Sequence, residues 1–191
     1  MVHAAVNHAS SVDGEEIAHF AALADEWWNP AGGLAPLHAL NPTRLEFIRD
    51  HLAGHLGRDA LAERPLDGAR LLDVGCGGGL LCEPLARLGA TVVGIDAAAE
   101  SIAVANRHAE QSGLAIDYRH TTAEALAASR ESFDAVITME VIEHVADVDG
   151  FVAACGALAQ PGGLIMAATI NRTPKSFALA IVGAEYVFRW L

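Results

Sequence analysis

The sequence predicts an α/β fold: a Rossmann-like parallel sheet with helices on both faces and an N-terminal helical lid. Three observations predict it. From Arg70 onward, short apolar runs alternate with helical patterns. The first run, Leu71-Leu72-Asp73-Val74, passes straight into the turn Gly75-Cys76-Gly77-Gly78-Gly79. The second, Thr91-Val92-Val93-Gly94-Ile95, ends on Asp96. Such alternation gives parallel strands joined by right-handed crossovers, with ligands received at their carboxyl ends.

The elements follow in order. Residues 1–11 read as a tail. Asp13 caps a first helix, with Glu16 completing a capping-box pattern, and Ile17, Phe20, Ala24, Trp27 and Trp28 recur at helical spacing until Pro30. Asn41-Pro42 opens a second helix with Pro at its first position; Leu45, Ile48, Leu52 and Leu56 form its apolar stripe and Gly57 ends it. Strands are expected at 70–74, 91–96, 115–119, 133–139 and 164–170. Helices are expected near 80–88, 98–112, 123–129, 148–159 and after 175. Gly89 and Gly113 stand where helix C-caps belong, and Pro161-Gly162-Gly163 is a turn. Residues 1–60 thus form the tail and lid and 61–191 the core, within one domain overall.

Composition excludes several functions. A formal charge of −12 over 191 residues argues against a nucleic-acid partner, which needs clustered Lys and Arg. Lys175 is the only lysine, so the glycine turn carries no Walker A lysine. Cys76, Cys82 and Cys155 have no paired spacing and read as reduced packing residues in a cytoplasmic setting. Met1 to Ser11 has neither a basic region nor an apolar core, so no signal peptide is expected.

The glycine turn selects the cofactor. A dinucleotide fingerprint wants a glycine at position 80, which is Leu80. The spacing here is Gly-x-Gly-x-Gly, with Asp73 two residues ahead of it. An acid there repels a pyrophosphate but favours the ammonium and sulfonium of S-adenosylmethionine. Asp73, Gly75 and Gly77 are therefore expected to bind that cofactor, with Asp96 accepting both ribose hydroxyls. A short-chain dehydrogenase needs Tyr-x-x-x-Lys; Tyr118 is followed by Thr122 and Tyr186 by Trp190.

The substrate side follows the fourth strand, in Met139-Glu140-Val141-Ile142-Glu143-His144-Val145. On a helical turn Glu140, Glu143 and His144 would share one face. Two carboxylates and an imidazole suit a divalent ion such as Mg²⁺, which would acidify a bound phenol. His144 could instead act alone as general base, or the three could be structural.

Trp27-Trp28, Pro36-Leu37-His38, Asn41-Pro42-Thr43-Arg44-Leu45, the glycine turn, Met139-Glu140 with Glu143-His144-Val145, and Val182-Gly183-Ala184-Glu185-Tyr186 together resemble the O-methyltransferases of ubiquinone biosynthesis. The likeness runs from about Glu15 to the last residue. It implies a class I methyltransferase sheet and methylation of phenolic hydroxyls on polyprenyl catechol and demethylubiquinol intermediates. It implies cofactor contacts from Arg44, Gly75, Asp96 and Met139, Arg44 gripping the methionyl carboxylate. It also implies a metal at Glu140, Glu143 and His144. Relatives continue past Leu191 with a final strand pair that this chain lacks, which would leave the fifth strand an exposed edge. The apolar stretch 172–191, flanked by Arg172, Lys175 and aromatics, is expected to dock on the membrane surface where a polyprenyl phenol or quinol resides. The expected setting is cytoplasmic and peripheral on the inner membrane, beside other enzymes of ubiquinone biosynthesis. The alternatives are another small-molecule methyltransferase, or an inactive cofactor-binding scaffold.

Overall fold

The structure, a computed structural model, describes residues 13–169. The chain order is α1 (Gly14–Ala22), α2 (Ala35–His55), β1 (Arg70–Val74), α3 (Cys82–Arg87), β2 (Thr91–Asp96) and α4 (Ala99–Gln111). Then come β3 (Asp117–His120), α5 (Ala123–Ala127), β4 (Phe133–Met139), α6 (Val148–Leu158) and β5 (Ala159–Ala168). Short 3-10 turns occupy Ala24–Glu26 and Ile142–His144.

The five strands form one parallel sheet in the order β3-β2-β1-β4-β5. The order reverses between β1 and β4, so a crevice opens at their carboxyl ends, where doubly wound sheets take their ligands. β1 and β4 lie inside the sheet and are almost wholly buried, as strands covered on both faces must be. One core layer joins Leu71, Val92, Ile137 and Leu85 with Ile48 and Leu52 of α2. The other joins Leu72, Val93, Val136 and Phe133 with Phe151 and Leu158 of α6. Truncating one of the fully buried leucines or isoleucines among them to Ala costs about 2–5 kcal/mol.

The strands and the core helices fall close to where the sequence puts them. Three details differ. α2 begins at Ala35, not at Pro42: Pro36 takes the first turn and Pro42 lies inside the helix. Ile48 and Leu52 are fully buried in the main core, so the second half of α2 is sheet packing rather than lid. Gly162 adopts φ +83 within β5, which shifts register against β4 between Phe133 and Ala135; the expected turn is absorbed into the strand as an irregularity. β5 is the sheet edge among the described residues, with Ile165 half exposed. The expected helix after 175 and the membrane-docking stretch 172–191 lie outside the described residues.

Candidate functional site

A cavity of about 470 Å³ occupies the crevice. Its floor comes from the ends of β1, β2 and β4 and its roof from α1 and α2. Of the residues expected to bind cofactor, Arg44, Asp73, Gly75, Asp96 and Met139 all line it. Thr121 and Thr122 line the side beyond β3.

The glycine turn is built as its residues require. Gly75, Gly77 and Gly79 have φ of +73, +53 and +86, which only glycine adopts without strain. A Cβ on Gly75 would collide with Val141, and one on Gly77 or Gly78 would collide with the Trp27 side chain. Gly77 does not itself line the cavity, because the Trp27 ring covers it; it serves the site through its amide. The Gly77 N–H donates to Asp96 Oδ2 at 2.9 Å, and Ala98 N–H donates to Asp96 Oδ1 at 2.8 Å. Asp96 therefore clamps the turn to the end of β2 while each oxygen keeps a lone pair for a hydroxyl. Burial raises its pKa, and the amide bonds from Ala98 and Gly77 oppose the rise.

Asp73 is 3% exposed. Burial pushes its pKa up to about 7, countered by the Cys82 thiol, which donates to Oδ2 at 3.2 Å, while Asp96 raises it further. Cys82 thus has a polar task; all three cysteines are buried free thiols. Arg44 faces the same cavity and lowers the Asp73 pKa by its charge. A buried carboxyl and a guanidinium facing one cavity, with a second carboxylate set for a diol, match a nucleoside carrying a zwitterionic amino acid. The donor set fits such a cofactor.

Arg44 Nη2 meets Glu140 Oε1 at 2.9 Å, both side chains mostly buried. Glu140 adopts φ +58, an unusual left-handed conformation for a side chain of its size, and its amide donates to the Ala168 carbonyl. Its carboxyl also shares a hydrogen bond with that of Glu143. Burial raises its pKa, Arg44 lowers it, and the neighbouring Glu143 carboxyl raises it.

The expected three-residue metal site is not assembled. Among the described residues no cluster of three His, Cys, Asp or Glu side chains is placed to hold a metal ion. The helical turn that would align the three begins only at Ile142, after the left-handed Glu140. Glu140 is taken by Arg44, Glu143 accepts from the Thr169 hydroxyl at 2.7 Å, and His144 pairs with Glu16.

His144 does line the cavity. Its Nδ1 lies 2.9 Å from Glu16 Oε2, and Phe20 meets the ring edge-on at 5.2 Å. Sequence reasoning assigned Glu16 to a helix cap; in the structure Asp13 caps α1 alone and Glu16 reaches across 128 residues of chain. The roof lies where the sequence puts the N-terminal lid, and Ile17, Phe20, Leu37 and Leu40 give one wall an apolar surface. Nothing local in the sequence marks these partners.

The switch-point crevice, the glycine turn and the carboxylate ending β2 define a class I methyltransferase. The methyltransferase domain family matches residues 72–167. The chain is 60% identical over 182 residues to the ubiquinone biosynthesis O-methyltransferase of Brucella anthropi, covering 95% of this chain and 73% of that protein. It is 60% identical over 183 residues to that of Cereibacter sphaeroides, covering 96% and 74%. This chain belongs to the ubiquinone biosynthesis O-methyltransferase family. Among solved structures it shares its fold with magnesium protoporphyrin IX methyltransferase from Synechocystis, with a TM-score of 0.62 at 21% identity over 81% of this chain and 75% of that one. DhpI in its SAM–HEP complex aligns with a TM-score of 0.65 at 20% identity over 94% and 73%.

Proposed function

We propose that this chain transfers a methyl group from S-adenosylmethionine to the phenolic hydroxyl of a polyprenyl catechol or demethylubiquinol, with His144 as general base. One observation carries the reading: a single cavity holds Asp73, Asp96 and Arg44 on one side and His144 beside apolar Ile17, Phe20, Leu37 and Leu40 on the other. The first group suits the cofactor's ammonium, ribose diol and carboxylate; the second suits a ring bearing an isoprenoid tail.

When bound, the cofactor supplies a methyl carbon activated by its sulfonium. The chain supplies alignment, exclusion of water and a proton acceptor. Asp96 and the Gly75 backbone fix the nucleoside, and Asp73 and Arg44 fix the amino-acid end. Arg44 must share or exchange its Glu140 contact to reach the cofactor carboxylate. His144 takes the phenol proton as the oxygen forms its bond to the methyl carbon, and the carbon–sulfur bond breaks with its electron pair left on sulfur. The apolar wall guides the tail outward past Leu40, half exposed at the rim.

Contact with a membrane surface belongs to this reading. Among the described residues no helix is long and apolar enough to cross a membrane. Support comes from the composition of 172–191. The test follows labelled methyl from S-adenosylmethionine to a short-chain demethylubiquinol analogue and to a prenyl catechol, in buffer and on liposomes. Transfer to both acceptors, with sedimentation on liposomes weakened by Phe177→Asp with Ile181→Asp, is expected. Labelling of neither acceptor sinks the reading.

A further inference from the structure

We propose that Cys82 is a positioning residue for cofactor binding: its thiol, by a hydrogen bond to Asp73 Oδ2, holds that buried carboxylate ready for the ammonium of S-adenosylmethionine. The inference rests on the reading of Asp73 as the partner of that ammonium and adds the donor that makes it one.

The bond ties the two ends of the glycine turn together. Asp73 stands on β1 just ahead of Gly75, and Cys82 opens α3 just after Gly79. Sγ lies 3.2 Å from Oδ2, with Asp73 3% and Cys82 0% exposed. Asp73 lines the cavity and Cys82 does not, so the thiol acts on the cofactor through the carboxylate. An ionised carboxylate only accepts hydrogen bonds, so the thiol must donate. Burial holds the Cys82 pKa well above its ordinary value, with Cys76 and Asp73 adding to the rise, which keeps the proton on sulfur. A thiol is also small and apolar enough to fill a packed site while carrying one donor.

The groups around Asp73 single out this donor. Burial and the Asp96 charge at the end of β2 raise the Asp73 pKa; the Cys82 thiol and the Arg44 charge from α2 lower it. Arg44 is claimed by Glu140, which follows β4, and it turns to the cofactor carboxylate on binding. Cys76 in the turn and Tyr118 of β3 have pKa values raised by burial first, so they stay neutral. Cys76 directs its own thiol to the Gly77 carbonyl at 3.7 Å. Glu83, beside Cys82 on α3, has His108 and Arg87 as partners. Cys82 is therefore the support of the ionised carboxylate that stays in place when the cofactor enters.

The test uses the chain itself, with three variants and two independent readouts: calorimetric affinity for S-adenosylhomocysteine across pH, and ¹³C titration of the Asp73 carboxyl. Cys82→Ala removes the donor and should weaken binding about 3–10-fold at pH 7, the worth of one hydrogen bond. The Asp73 titration should move up in that variant, and the loss should shrink toward about pH 9, where the carboxyl is ionised with or without the thiol. Cys82→Ser keeps a donor and should restore most of the affinity and the parent titration. An unchanged titration and affinity in Cys82→Ala overturn the proposal. So does a loss that is equal at every pH and that Cys82→Ser does not restore, since that marks packing of α3 alone. If the parent ignores S-adenosylhomocysteine, or Asp73→Asn binds it as tightly as the parent, the reading of the cofactor site falls and takes this proposal with it. If Asp73→Asn loses affinity and Cys82→Ala does not, only this proposal falls.

Discussion

The cofactor half and the acceptor half of the cavity are built in opposite ways. Residues 73–98 form the cofactor half from two adjacent strands and the turns that follow them, and their contacts span short stretches of chain: Gly77 to Asp96, Asp96 to Ala98, Cys82 to Asp73. The acceptor half is assembled from afar. His144 meets Glu16 across 128 residues of chain. The first half is fixed by backbone amides and buried carboxyls within the rigid sheet. The second depends on α1 and the front of α2 coming down on the sheet. A chemistry that needs one invariant donor and a bulky, partly apolar acceptor gains from this division: the donor pocket stays formed while the acceptor wall can part.

The largest expected effect breaks the cofactor half alone. Asp96→Ala removes two charge-assisted amide bonds, from Gly77 and Ala98, and the acceptor for the ribose diol. At about 1.5–3 kcal/mol per such bond, S-adenosylmethionine affinity should fall about 100-fold or more by calorimetry. Acceptor-side geometry, read from the His144 ¹⁵N tautomer, should not change. A change there would show that the two halves are one mechanical unit.

The second prediction sharpens the electrostatic difference between the halves. Asp73 is held near 7, so in the free protein its carboxyl is largely protonated below that value. Binding a cationic ammonium favours the ionised form. Cofactor affinity should therefore rise with pH, by up to about tenfold between pH 6 and 8, with proton release on binding below pH 7. The stability of the free fold runs the other way. Asp73 ionises more readily unfolded than folded, so its ionisation opposes folding: the penalty is full above about 7 and gone below its ordinary value of 3.8. A pH-independent affinity, measured in two buffers of different ionisation enthalpy, would remove Asp73 from the ammonium site.

The same division explains what the sequence disclosed. Strand ends, the glycine turn, Asp73 and Asp96 were legible because hydrophobic period, positive-φ glycines and the β1–turn–β2 spacing are local properties. The metal reading of Glu140, Glu143 and His144 used the same local logic, and the fold answered with long-range partners: Arg44 and Glu16 each claim one of the three. Ion pairs between distant segments leave no periodicity or spacing to read. Pro42 failed as a helix start for a related reason. Pro36 already offers a favourable first turn, and Asn41, donating from Nδ2 to the Leu80 carbonyl at 2.8 Å, anchors α2 to the end of the glycine turn.

The smallest expected effect tests where the two halves touch. Trp28 lies on His108 of α4 with ring centroids 3.4 Å apart and planes 4° from parallel, and its indole N–H donates to the Gly78 carbonyl at 2.9 Å. His108 is itself held by Glu83, which is buried in α3 and also pairs with Arg87. The segment that leads from α1 to α2 is thereby hydrogen-bonded to the glycine turn at the Gly78 carbonyl, beside the Trp27 ring that covers Gly77. Trp28→Phe keeps an aromatic ring beside His108 and removes that hydrogen bond together with part of the stacked area. Loss of about 1 kcal/mol follows, a fall in Tm of about 2–4 °C for a chain of this size. Cofactor affinity should drop by a few fold at most, because Asp96 still clamps the turn from the sheet side. If it drops as far as in Asp96→Ala, the glycine turn is held from above rather than from the sheet. The cofactor half would then depend on long-range docking just as the acceptor half does.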